Sequence, residues 1–471
     1  SGRRAPPHGP PVSGVGNRRP PGGDLPDEPR RVGALRAAVR PMTSSSGIRR
    51  TAAGVIGLGV AGVGFYGVQA VRYRRSVGRR FDVTDVAQPG SPEFSRLLEA
   101  MTTAPLRPGN RVKVMRNGET LVEMLEAISS AKATIDFSSY IYWPGSIADD
   151  FTSALMERAR AGVDVNMVVD AYGSAKLHRG HLNRLKEAGV TVKMFRPPRW
   201  YTLDKLNNRM HRRLLIVDGN VAFAGGVGVA DVWTGDAEDP EHWRETHLCI
   251  QGPAVLDVFG AFAENWVEAT DEIPGHGHVP DPHTGFDDGV GVQVTRGTPT
   301  GGPTGTTQLF YLAVSGARRR LWLTTAYFAP DPAFEEVLCA AARRGVDVRI
   351  LVNGQKVDKE VARQAGQRSY AGLAEAGARV FEYDRTMLHA KVLLVDDGWA
   401  NIGSSNFDSR SFDHDLEVNV SVTDAATVTE LEGHFLEDVE SSTEFDLDLW
   451  RRRPLHKRAM EALAGLTRQS L

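Results

Sequence analysis

The sequence predicts an α/β fold built as two halves related by a pseudo-twofold axis, each a mixed β-sheet flanked by helices. The first observation is an internal repeat. "ARAGVDVNMVVD" at 159–170 returns as "ARRGVDVRILVN" at 342–353. "LKEAGVTVKMF" at 185–195 returns as "LAEAGARVFEY" at 373–383, and "ATIDFSSYIY" at 133–142 as "RLWLTTAYFA" at 320–329. Offsets this similar indicate a duplicated unit with small insertions. The second observation is alternation within each copy. Apolar runs of strand length are separated by amphipathic stretches such as "DDFTSALMERARAGV", which argues for strands and helices in turn. The third is the pair "LLIVD" and "VLLVD", unbroken apolar runs expected of central strands covered on both faces.

Taken in order, residues 1–50 are rich in Pro, Gly, Ser and Arg and lack apolar periodicity, so they are expected to be disordered. Residues 51–71, "TAAGVIGLGVAGVGFYGVQAV", carry no formal charge. At about 1.5 Å per residue they span roughly the 30 Å of a bilayer core, so they are expected to form a transmembrane helix. Ala53, Gly57 and Ala61 give that helix a ridge of small residues. A cleaved signal peptide ending at "VQA" is the alternative, and Arg72, Arg74 and Arg75 directly after it argue against translocation. Four arginines precede the span within about 15 residues and five follow it, which places the globular body on the cytoplasmic side of a single-pass cell-membrane protein. Residues 106–272 form the first half, 273–305 a linker rich in Gly, Pro and Thr, and 306–471 the second half. The loop "FRPPRWYTLDKLNNRMH", with Arg196, Arg199, Trp200, Tyr201 and Lys205, is a candidate lip for anionic headgroups, with Trp143 beside it. The basic amphipathic tail 449–471 is read as a domain cap or a membrane contact.

Composition narrows the function. Lys plus Arg number 56 and Asp plus Glu 58, a net charge of −2, so the chain lacks the basic excess of a nucleic-acid-binding protein. Cys249 and Cys339 sit in apolar stretches and read as core residues, not a disulfide. The histidines of "GHGHVPDPH" at 275–283 lie among Gly, Pro and Asp and read as a solvated loop, and neither metal nor cofactor is expected.

The chemistry concentrates in one repeated motif. "MLHAKVLLVDDGWANIGSSNF" holds His389, Lys391, Asp396, Gly403, Ser404 and Asn406; "RMHRRLLIVDGNVAFAGGVGV" holds His211, Arg213, Asp218, Gly225 and Gly226, with Gly228 at the Asn position. Residues two apart on a strand share a face, so each imidazole is expected beside a cation. A neutral imidazole attacks phosphorus, a neighbouring cation offsets developing charge, and a second imidazole protonates the leaving alkoxide. Ser404 and Asn406 add neutral donors.

With these motifs the chain resembles the phospholipase D superfamily, whose signature is a doubled H-x-K-x4-D-x6-G-S/G-x-N. "GGVGVADVW" and "HWRETHLCIQGPAV" resemble its bacterial cardiolipin synthase branch. The resemblance implies two phospholipase D-like halves and a catalytic set of His211, Arg213, Asp218, His389, Lys391 and Asp396. Support would come from Gly226, Ser404 and Asn406. A carboxylate downstream of each motif, Glu245 and Glu417, would orient the histidine of that motif. The implied reaction is transfer of a phosphatidyl group between phosphatidylglycerol molecules through a phosphohistidine on His211, at a membrane, without nucleic acid. A hydrolase releasing phosphatidic acid, or a nuclease-type phosphodiesterase, is the alternative.

Overall fold

A computed structural model describes residues 85–198, 207–299 and 303–452. The expected disordered segment 1–50 and span 51–71 lie outside the described residues, as do Arg199, Trp200, Tyr201, Lys205 and most of the tail. Among the described residues, no helix is long and apolar enough to cross a membrane.

Fifteen strands form one mixed sheet. In chain order the first seven are β1 (Arg107–Arg116), β2 (Thr134–Ser139), β3 (Asp164–Asp170), β4 (Thr191–Phe195), β5 (Leu214–Val217), β6 (Val221–Gly225) and β7 (Thr246–Gln251). Next come β8 (Val290–Gly297), β9 (Arg320–Thr324), β10 (Phe328–Ala329), β11 (Asp347–Asn353) and β12 (Arg379–Tyr383). The last are β13 (Val392–Val395), β14 (Trp399–Gly403), β15 (Phe407–Asp408), β16 (Glu417–Thr423) and β17 (Ser442–Glu444). From the β1/β8 seam one side runs β1-β7-β6-β5-β2-β3-β4 and the other β8-β16-β14-β13-β9-β11-β12-β17. Apart from the edge strand β17, the second order repeats the first position by position. β10 and β15 form a separate parallel pair.

The motif strands β5 and β13 are fully buried, each paired antiparallel on both sides. Their side chains alternate between two cores, which accounts for the unbroken apolar runs. One core crosses the seam and takes Leu214 and Ile216 from one half with Leu394 and Val420 from the other. Helices Val255–Thr270 and Ala425–Glu440 cover that face. The outer faces carry one core each, holding Leu215 and Val217 in the first half and Leu393 and Val395 in the second.

Two segments read as irregular are ordered parts of this frame. β8 falls inside the expected linker 273–305 and pairs with both β1 and β16. Its alternating Val290, Val292 and Val294 were masked by the flanking glycines. In the "solvated" stretch 275–283, His278 is buried, with Nδ1 3.0 Å from Asp136 and Nε2 3.1 Å from Asp164. That bond fastens the connection to the first half.

Candidate active site

The strand ends after β3 and β11 anchor the residue before each histidine. Asp170 accepts a hydrogen bond from the Met210 amide at 3.0 Å, and Asn353 accepts one from the Leu388 amide at 2.7 Å. Each histidine is then tied to the opposite half. The His211 amide donates to Leu416 O at 2.9 Å, and the His389 amide donates to Arg244 O at 2.7 Å. Isolated parallel bridges, Met210 with Leu416 and Arg244 with Leu388, hold both crossings.

This backbone exchange dictates the side-chain pairing. Leu416 is followed by Glu417, whose carboxylate lies 3.0 and 3.2 Å from His211 Nδ1. Arg244 is followed by Glu245, which bonds to His389 Nδ1. The expected pairing of each glutamate with the histidine of its own motif is therefore corrected: the glutamates are exchanged between the halves. Both carboxylates are fully buried. An Nδ1–H donated to the carboxylate would fix the tautomer and leave the free lone pair on Nε2.

The cations stand beside their histidines as expected, although His211–Arg213 and His389–Lys391 lie just before β5 and β13 and not within them. Arg213 Nη2 is 3.0 Å from His211 Nε2, and its Nη1 donates to His211 O at 2.7 Å. Lys391 donates to the His389 carbonyl. Burial, together with Arg213 and Lys391, holds both imidazoles well below their usual pKa, so both rings are neutral. Burial pushes Glu245 and Glu417 up to about 7 and Lys391 down to about 7. The charges of Arg213 and Lys391 bear on both histidines, and His211 bears on His389, which marks one shared site.

The halves differ in detail. Ser404 donates to Glu417, whereas Gly226 stands at the same position beside Glu245. A Cβ at Gly226 would lie 2.3 Å from Glu245 Oε2, so the glycine makes room for that carboxylate. Gly228 replaces Asn406 because a side chain there would meet Trp233 at 2.9 Å and Ile141 at 3.1 Å. Asn406 is buried, and its Oδ1 has no partner among the described residues.

Asp218 and Asp396, expected in the catalytic set, are structural. Each follows its motif strand at positive φ, 51° and 52°. The Asp218 carboxylate accepts from the Lys132, Ala133 and Thr134 amides at 2.7 to 3.1 Å. Asp396 accepts from Arg318, Arg319 and Arg320 at 2.8 to 3.3 Å and from Gln88 at 2.8 Å. At about 3.3 Å per residue, seven residues of extended chain put them roughly 20 Å from the histidines.

Sequence reasoning missed the aromatic support. Trp233 and Trp243 pack on His389 at ring-centroid distances of 5.4 and 5.6 Å, and Tyr140 packs on His211 at 5.0 Å. It also missed Arg212, fully buried, which donates to the Glu417 carbonyl at 3.0 Å and to Glu264 at 2.8 Å. Arg196 bonds to Glu268 at 2.6 and 2.9 Å, which engages it within the fold, and Arg199, Trp200, Tyr201 and Lys205 of the expected lip lie outside the described residues. Trp143 donates to Gly173 O at 2.9 Å and lies under Lys176. Among the described residues, one group has metal-ligand spacing, Glu238, Asp239 and His242, and it is largely solvent-facing. Its His242 Nδ1 lies 2.8 Å from Asp239.

The profile of the family described as "Cardiolipin synthase, PLD-like domain" matches residues 124–261 and 313–439. The chain is 32% identical over 375 residues to cardiolipin synthase 2 of Bacillus anthracis, covering 78% of this chain and 72% of that protein. It is 32% identical over 402 residues to cardiolipin synthase 1 of Bacillus cereus, covering 83% and 78% respectively. In fold it is similar to the crystal structure of phosphatidylserine synthase from Haemophilus influenzae. That match has a TM-score of 0.59 at 12% identity and covers 80% of this chain and all of that one.

Proposed function

This chain belongs to the cardiolipin synthase family of PLD-like-domain proteins, and we propose that it joins two phosphatidylglycerol molecules through a phosphohistidine. The observation that carries the reading is the pair of buried neutral imidazoles, each with Nδ1 on a glutamate from the other half and each beside a cation. His211 Nε2 attacks phosphorus, the bond to the headgroup glycerol oxygen breaks, and His389 gives that oxygen a proton. A hydroxyl of a second phosphatidylglycerol then returns a proton to His389 and attacks phosphorus. The P–N bond breaks, and cardiolipin leaves with His211 restored. Arg213, Lys391 and Asn406 hold the non-bridging oxygens.

His389 is neutral in the free protein, so it must take up its proton as the phosphodiester enters. Burial first, and then the charges of Lys391 and Arg213, hold the ring neutral, and the anion offsets those charges. Residues 51–71 would keep the site at the bilayer surface. The test is product analysis with the purified full-length protein and labelled phosphatidylglycerol in vesicles. Cardiolipin plus glycerol supports the reading, and phosphatidic acid plus glycerol identifies a hydrolase. Removal of residues 1–75 should leave a folded body with weaker action on vesicles than on dispersed substrate.

A further inference from the structure

Two equivalent positions, each next to the last residue of a motif, carry different chemistry. In the first half, the bridge between Tyr142 and Val229 sets Ile141 against Gly228, with Trp233 behind. In the second half, the pairing of Phe328 with Phe407 sets Tyr327 beside Asn406. At this position the first half is apolar, with the neighbouring Tyr140 packed on His211, while the second half offers a phenol and an amide.

The polar side continues into the loop between β11 and the helix Glu360–Glu375. The Tyr327 hydroxyl donates to Asp358 Oδ1 at 2.6 Å, and Lys359 Nζ lies 4.9 Å from the Tyr327 ring centre. Asp358 and Lys359 are exposed, while Tyr327 is half-buried. Their charges reach the reacting groups: Lys359 lowers both histidines, and Asp358 raises Lys391. A carboxylate bonded to a phenol next to the motif turn of an anion site does not hold phosphate itself, so its placement there asks for another partner.

We propose that Asp358 and Tyr327 recognise the hydroxyl groups of a polyol headgroup and so select a glycerol-type alcohol as the group that leaves from, or adds to, phosphorus. This rests on the phosphatidyltransferase reading. A carboxylate accepts from one hydroxyl, and the phenol oxygen accepts from its neighbour. A monohydric alcohol offers no second donor. An ammonium headgroup would meet Lys359, Lys391 and Arg213. Sites built to bond a hydroxyl discriminate against the analogue that lacks it.

The test uses the full-length protein in vesicles and follows consumption of labelled phosphatidylglycerol, phosphatidylpropanol and phosphatidylethanolamine as separate donors. Consumption is read whether the acceptor is water or alcohol, so the result does not depend on transferase over hydrolase. The wild type should favour phosphatidylglycerol. Asp358→Asn should reduce the kcat/KM ratio of phosphatidylglycerol over phosphatidylpropanol by about tenfold, the scale of one hydrogen bond to a charged group, and Tyr327→Phe by about fivefold, the scale of a neutral one. Thermal melts identify a misfolded variant, and Asp358→Glu should recover part of the ratio. A ratio unchanged within twofold in both folded variants overturns the assignment. So does a wild-type preference for the ethanolamine lipid. A wild type that consumes none of the three overturns the functional reading and this inference together.

Discussion

Gly226→Ala tests the exchanged glutamates without removing any polar group. The added Cβ would lie 2.3 Å from Glu245 Oε2 and 2.6 Å from its carboxyl carbon, where about 3.0 Å is the closest real side chains tolerate. The carboxylate must therefore retreat by at least about 0.7 Å. Glu245 has little slack, because its amide is bonded to Asn117 and a carboxylate oxygen accepts from the Thr246 amide, both at 3.0 Å. The displacement passes to His389 and not to His211. A misplacement near 1 Å of a catalytic group costs about 100-fold in rate. The expected result is a kcat for phosphatidylglycerol reduced by about that factor, with the melting temperature lowered by only a few degrees. A nitrophenyl phosphodiester needs no proton on its leaving group, so it should still load His211. The adduct, read by mass spectrometry of the His211 peptide, should persist because acceptor activation by His389 is impaired. A kcat within threefold of wild type, or loss of loading with retained turnover, would refute the crossed assignment.

Three further outcomes follow from the same geometry. Binding of a non-hydrolysable phosphodiester near pH 7 should draw protons from the buffer, because His389 is neutral in the free site, Lys391 is lowered to about 7, and both charge beside the anion; calorimetry in buffers of different ionisation enthalpy measures this, and zero uptake contradicts the acid role. Asp218→Asn should cost about 2 kcal/mol of stability through weakened bonds to three backbone amides, while kcat of the folded fraction stays within about threefold. Burial alone would lower His278, but its bonds to Asp136 and Asp164 outweigh that and hold it at about 9. A pKa raised by folding adds stability that is full below about pH 6.5 and is lost as pH rises through about 9. The melting temperature should therefore drop across that window, and His278→Gln should flatten the drop.

The parts of this protein legible in sequence are those set by short-range periodicity. The two-residue spacing put Arg213 beside His211 and Lys391 beside His389, although both pairs precede the strands proper, and apolar runs marked β5 and β13 as central strands. β8 escaped because its three alternating valines sit among Gly and Pro, which outweigh alternation in a short window. The aspartates show a different limit. Spacing fixes that Asp218 and Asp396 follow the motif strands, but only the fold reveals that each carboxylate turns back to the amides before β2 and β9. Tyr140 and Trp233 lie 71 and 156 positions from the histidines they pack against, and no local pattern marks them.

The exchange of glutamates has a cause that a one-motif reading cannot contain. Glu417 meets His211 because Leu416, one residue before it, bridges Met210, one residue before the histidine. Glu245 meets His389 by the same step from Arg244 and Leu388. Two neighbours in sequence are bonded to two neighbours in the other half, so backbone pairing and side-chain pairing arise together. A half taken alone keeps its histidine but loses the carboxylate that fixes the ring's tautomer. The duplicated chain thus obtains one active site from two motifs, and Gly226 against Ser404, with Gly228 against Asn406, makes its two sides unequal. In the proposed mechanism this inequality falls on the two histidines given different roles, His211 in attack and His389 in proton transfer.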